Sequence, residues 1–224
     1  MTNNYLNKQR VLFFKNLSIM KMNFLNRKWR GWVLMMGLAI GASAQSSLDI
    51  ASDTTWLTPQ FANNTILPCA AITSAWNSNV NYDETCWTTA IRPYPDSVQG
   101  VSRYAQYLWG RNPWIPGQTA YFRKTFTLSA LPTTATLRFR ADDSGKLYIN
   151  GHKVAQVTWW DQVAIISTDS ILPYLVVGKN IIAVEATDLG AVGWNFGSNL
   201  HLESNSGCTL TDYIRPTTVD AALT

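Results

Sequence analysis

The stretch ATLRFRADDSGKLYINGHKVAQV, residues 135–157, decides the fold class. Its first seven residues alternate. Ala135, Leu137, Phe139 and Ala141 point one way, and Thr136, Arg138 and Arg140 point the other. A period of two marks a strand with one face buried. Asn150-Gly151 then sits between two apolar-rich runs. Asn-Gly is the strongest short hairpin signal, because a type I′ turn needs positive φ at both central residues.

The same pattern extends outward. In residues 121–128 (YFRKTFTL), Phe122, Phe126 and Leu128 share a face, while Tyr121, Arg123, Thr125 and Thr127 share the other; Lys124 interrupts the apolar side. Residues 181–186 (IIAVEA) follow an expected turn at Gly178-Lys179-Asn180, and residues 199–203 (NLHLE) read as a final strand. Between residues 53 and 118 the chain is rich in Asn, Thr, Ser, Pro and Trp, which predicts long loops with short strands. No stretch beyond the first 44 residues keeps a helical period over three turns. The class is all-β, and an antiparallel sandwich is the expected architecture.

Charge separates the N-terminal residues from the rest. Seven of the 18 basic residues lie within the first 30 positions, and all 14 acidic residues lie beyond residue 48. From Gln45 onward the chain is net acidic, so the positive total of +4 belongs to the leader. A basic nucleic-acid-binding domain is excluded, since that needs clustered positive charge against phosphates. Residues 21–30 are basic, 31–41 are apolar, and Ala42-Ser43-Ala44 supplies small residues before Gln45. This order is that of a secretory signal peptide, with cleavage expected after Ala44. The apolar run is well short of the roughly 20 residues a spanning helix needs, so no membrane span is expected once the leader is removed. A start at Met20 or Met22 would leave a leader of ordinary length. The expected organisation is a leader over 1–44, a β-sandwich over 45–204 and a tail over 205–224. Secretion, the periplasm or the cell surface is the expected location, where cysteines meet an oxidising environment. Cys69–Cys86 closes the shortest loop and is the expected bridge, leaving Cys208 free. The alternative is three buried or unpaired thiols.

Four motifs in order resemble the galactose-binding-like jelly-roll domain found beside secreted glycoside hydrolases and carbohydrate esterases. They are Phe122-Arg123-Lys124-Thr125-Phe126, Ala141-Asp142-Asp143, Leu147-Tyr148-Ile149-Asn150-Gly151, and the run from Leu175 to Glu185. Upstream, Tyr82-Asp83-Glu84-Thr85-Cys86-Trp87 resembles the family's acidic element before a tryptophan. The resemblance covers about residues 47–204 and implies an antiparallel jelly-roll β-sandwich. It does not specify a ligand, because fold and function are separable. The Trp159-Trp160 pair and the Pro- and Trp-rich insert at 109–117 depart from the pattern.

No G-x-S-x-G, H-E-x-x-H or Cys/His constellation is present, and His152 and His201 read as surface residues. Asp142/Asp143 and Asp161/Glu185 are the carboxylate pairs to weigh for glycoside hydrolysis, which needs two such groups facing each other across a sugar. Adjacent carboxylates are poorly placed for that, so the chain is read as no enzyme. Eight tryptophans lie beyond the leader. Trp56, Trp76 and Trp87 are expected to pack inside. Two adjacent tryptophans in a strand cannot both face a core, which makes Trp159 and Trp160 candidates for stacking on a sugar ring. With Asp161, Trp194 and Asn195 they form the candidate ligand-binding set. Asp142 and Asp143 are candidate ligands for calcium, the one cofactor considered, since paired carboxylates supply the charge a hard cation needs. They also resemble the Asp-Asp element of adhesin domains of the protective-antigen type. The alternative is a polar turn whose side chains cap backbone amides. The expected function is an exported, non-catalytic carbohydrate-binding module, its partner an oligo- or polysaccharide. The alternatives are a cell-surface structural or protein-interaction module without a glycan site, and an accessory domain of a truncated carbohydrate-active enzyme.

Overall fold

Alternating apolar positions become the facing sides of two antiparallel sheets. The computed structural model describes residues 46–62, 65–110, 117–190, 195–204 and 210–211, all within the compact unit Ala42–Thr224. The leader and Cys208 lie outside the described residues. One sheet runs β1 (Ser46–Ala51), β12 (Asn195–Ser204), β7 (Thr134–Asp142) and β10 (Ala164–Ile166). The other runs β5 (Trp87–Thr89), β2 (Leu57–Pro59), β6 (Thr119–Leu128), β11 (Gly178–Thr187), β8 (Ser144–Ile149) and β9 (His152–Val157), and a short β13 (Leu210–Thr211) joins it along β6. Strands β3 (Phe61–Ala62) and β4 (Thr65–Ile66) make a small separate ladder. The protein is an all-β sandwich.

Ala135, Leu137, Phe139 and Ala141 are buried as their spacing predicts, facing Phe122, Phe126 and Leu128 of β6. Trp56, Phe122 and Phe196 form the aromatic centre, with Phe122 and Phe196 ring centroids 4.5 Å apart. Each such ring contributes about 1.5–3 kcal/mol on burial. The turn at Asn150-Gly151 has φ of 48° and 87°, the left-handed geometry that a type I′ hairpin requires. Lys124, the interruption in the apolar face of β6, is buried with its Nζ 3.2 Å from Asp53.

Three expectations are corrected. Gly178-Lys179-Asn180 is not a turn before a strand; it opens β11, pairing with Leu128, Thr127 and Phe126. The strand expected over residues 199–203 is β12, which begins at Asn195, four residues earlier than its alternation suggested, because Asn195 pairs with Asp142 at the end of β7. Within the tail over 205–224, Leu210 and Thr211 pair with Leu128 and Thr127.

Neither outer face is bare. Val98, Val101 and Ala105 lie with Ala51 in an apolar cluster over the four-stranded sheet. A Cβ at Gly197 would stand 2.3 Å from Val98 Cγ2, so only glycine lets this segment down onto β12. Gly197→Ala is expected to cost about 1–3 kcal/mol by overpacking. Urea unfolding measures it, and adding Val98→Ala should recover much of the loss. A Gly197→Ala variant of parental stability would mean that Val98 does not sit on the sheet. The seven-stranded sheet is covered by residues 66–87, where Trp76 meets Tyr121 and Tyr148 edge-on at 5.2 and 6.0 Å. Cys69 and Cys86 are bridged across that segment, with Cα atoms 5.7 Å apart.

Candidate functional site

Strand β9 ends the seven-stranded sheet and β10 ends the four-stranded one, so the connection Thr158–Val163 crosses an open edge of the sandwich. Trp159, Trp160 and Asp161 lie in that turn, and all three are exposed. The indoles are 60% and 47% exposed, whereas Trp56, Trp76, Trp87 and Trp109 are at most 6% exposed. The expectation that Trp56, Trp76 and Trp87 pack inside therefore holds. The turn is held by its own polar groups. Thr158 N–H donates to Gln162 Oε1 at 2.9 Å, and Gln162 N–H donates to the Trp159 carbonyl at 3.1 Å. Arg140 on β7 donates from Nε to the Trp160 carbonyl at 3.0 Å, and its guanidinium carbon lies 5.9 Å from the Trp160 ring centre. Two large apolar rings are thus presented to water on a hydrogen-bonded support.

Arg140 joins this turn to the other candidates. On β7 it shares the outer face with Asp142, two residues on, and Asp142 pairs with Asn195. Trp160 and Asn195 thus both lie against β7, the first at Arg140 and the second at Asp142. Asn195 is not on an exposed rim: it is 7% exposed, and its Oδ1 has no hydrogen-bond partner among the described residues. Trp194 lies outside the described residues.

Asp142 and Asp143 are consecutive at the passage from β7 to β8, so they do not face each other across a sugar-sized gap. Asp143 Oδ2 accepts the Leu189 N–H at 2.7 Å, and Asp188 Oδ1 accepts the Gly190 N–H at 3.0 Å. Burial, and then the charges of Asp143 and Asp188, push the Asp142 carboxyl up from 3.8 to about 6. A carboxyl raised in the fold contributes stability that is fully present below its unfolded value and is lost as pH rises through about 6. Asp142→Asn is accordingly expected to stabilise the protein at neutral pH by roughly 1–2 kcal/mol, allowing for partial exposure to water. It should also flatten the fall in stability between about pH 4 and pH 7. Urea unfolding across that range checks both, and an unchanged slope would mean that Asp142 carries no penalty.

Calcium takes roughly six to eight oxygen ligands. Asp142, Asp143 and Asn195 Oδ1 are hard oxygen donors from neighbouring positions, which suits such a cation in kind. Among the described residues no group of three acidic, histidine or cysteine side chains is arranged to hold a metal ion. His201 is engaged elsewhere, with Nδ1 3.0 Å from Asp49 Oδ1 and Nε2 3.4 Å from Glu203 Oε1.

Beyond the turn, on the outer face of the seven-stranded sheet, lies a cleft of about 290 Å³ lined by residues of β8, β9 and β11 together with Thr158 and Leu189. Its floor carries Lys146 and Glu185, with Nζ to Oε1 at 2.8 Å. The sequence reading missed this cleft, and it missed Arg140, Gln162 and Asp188. Period two alone places Lys146 and Glu185 outward, but the pairing of β8 with β11 was not legible.

No family model and no curated protein matches the chain. Among the described residues no helix is long and apolar enough to cross a membrane. Solved structures similar to it include a β-glucuronidase of Bacteroides uniformis, 17% identical over 71% of this chain and 18% of that one, with a TM-score of 0.44. A glycosyl hydrolase family 2 member of Bacteroides cellulosilyticus is 18% identical over 70% of this chain and 20% of its own, with a TM-score of 0.43. An α-L-rhamnosidase of Streptomyces avermitilis, complexed with L-rhamnose, is 21% identical over 61% of this chain and 17% of its own, with a TM-score of 0.40. The chain thus spans at most 20% of the length of these three proteins.

Proposed function

We propose that this protein is an exported, non-catalytic carbohydrate-binding module of the galactose-binding-like kind, and that it grips glycan through the turn between β9 and β10. The observation that carries the reading is the pair of exposed indoles at Trp159 and Trp160 on a side-chain-braced turn. Large aromatic side chains left in water mark contact surfaces, and flat indoles suit the apolar C–H faces of pyranose rings. Asp161 beside them offers acceptors for ring hydroxyls. The Cys69–Cys86 bridge supports an oxidising compartment outside the cytosol.

Calcium at Asp142 and Asp143 belongs to the same proposal. A divalent cation there would offset the like-charge repulsion around Asp142, with Asn195 Oδ1 as a further ligand and water or sugar hydroxyls completing the shell. Millimolar calcium is expected to raise the melting temperature of the parent at neutral pH and to leave Asp142→Asn unmoved. Equal responses would remove calcium from the proposal. The reading as a whole is tested by applying the full chain to a glycan array. Binding to a defined set of sugars supports it, and a blank array sinks it in favour of a protein-interaction module.

A further inference from the structure

Strands β9, β8, β11 and β6 present two rows of outward side chains that cross the seven-stranded sheet in register. One row is Tyr121, Glu185, Lys146 and Gln156; the next is Thr119, Thr187 and Ser144. The Thr119 and Thr187 hydroxyls are 2.9 Å apart. The cleft lies over the β8, β9 and β11 members of these rows and is lined also by Thr158 and Leu189. Thr158 lines the cleft and is followed directly by Trp159 in the exposed pair. Leu189 is 68% exposed.

We infer that this cleft is a second sugar subsite, continuous with the Trp159–Trp160 platform, and that the ligand is a neutral oligosaccharide chain rather than a single sugar. The inference rests on the platform reading above. Its chemistry follows from the floor. Lys146 donates and Glu185 accepts, so the pair offers neighbouring hydroxyls a charged partner of each kind. Ser144 and Thr187 add hydroxyls that act in either sense. The lysine charge is already matched at 2.8 Å, which leaves the floor without net charge. Among the described residues lining the cleft Lys146 is the one cation, so a uronate placed on the floor would face Glu185; Lys153 reaches the cleft only at Gln156, where its Nζ donates to Gln156 Oε1 at 2.8 Å. The volume, about 290 Å³, stands at the lower end of small-molecule sites and has room for roughly one or two sugar units. A further unit on the indoles makes a ligand of about three or four.

The test titrates the full chain with glucose-, xylose-, mannose- and galactose-based tetrasaccharides, with their monosaccharides, and with tetragalacturonate. The variants are Lys146→Met combined with Glu185→Leu, which removes the pair without stranding one charge, and Gln156→Ala, an exposed position that leaves the pair intact. The double variant is expected to lose about tenfold in affinity for the best neutral tetrasaccharide and less than about twofold for its monosaccharide. Gln156→Ala should weaken the tetrasaccharide in the same direction, by a few-fold, which keeps the test valid should the double variant fail to fold. Tetragalacturonate should bind the parent at least about tenfold more weakly than the neutral chain. Tetrasaccharide binding that ignores both variants but is lost in Trp160→Ala overturns the subsite and leaves the platform standing. Preferred binding of tetragalacturonate overturns the neutral-ligand inference. A parent that binds neither tetrasaccharides nor monosaccharides removes the platform reading and the subsite with it.

Discussion

Replacing Cys69 and Cys86 together with alanine is expected to lower the unfolding free energy by about 3 kcal/mol, the chain-entropy value for a loop of this length. The two cysteines are 17 residues apart, and the loop between them carries the contacts that seal one face of the sheet. Arg123, fully buried on β6, places its Nε 3.0 Å from Glu84 Oε1 and donates from Nη2 to the Asn79 carbonyl at 2.9 Å. Its guanidinium also lies 4.9 Å from the Tyr82 ring centre. All three partners belong to the bridged loop. Opening the loop therefore frees chain entropy in the unfolded state and loosens the only described partners of a buried cation, a group that is expensive to leave uncompensated. Urea unfolding of the double alanine variant measures the loss. A change under about 1 kcal/mol would mean that Arg123 and Trp76 hold the loop without the bridge.

The larger effect on binding is expected at the indole pair. Trp159→Ala and Trp160→Ala should each weaken glycan affinity by about tenfold to a hundredfold, by analogy with the roughly 1–3 kcal/mol that an aromatic stacked on a ring ligand contributes. Both side chains are largely in water, so neither truncation opens a cavity, and the melting temperature should move little. Trp160 also spreads over Arg140, so its removal is expected to disturb the turn more than removal of Trp159. Calorimetry on the two variants separates lost stacking from lost folding. Two stable variants that bind as tightly as the parent would place the sugar elsewhere.

Much of the sandwich was legible because its inner faces follow strict alternation. Phe139 and Leu137 needed only the period, and Asn150-Gly151 needed only its turn chemistry. The outer faces were illegible for the same reason. Alternation assigns Arg123 to the outside, yet it is fully buried, because the 66–87 segment returns over it. Period two cannot foresee a loop that covers a face. Trp159 and Trp160 were readable as a site because adjacency forbids burying both. Asn195 was read as a loop residue because its strand has little apolar alternation at the start, where Gly197 is required by Val98 instead. Pairings such as Asn195 with Asp142, or Glu185 with Lys146, depend on register between strands far apart in sequence.

The central claim, that sugar sits on the exposed indoles, is tested most directly by nuclear magnetic resonance of the tryptophan Nε1–H groups during titration of the full chain with the best-binding tetrasaccharide. The indoles of Trp159 and Trp160 should shift along one saturation curve, with the same affinity that calorimetry gives, while those of Trp56 and Trp109 stay still. Saturable binding that leaves Trp159 and Trp160 unmoved would contradict it.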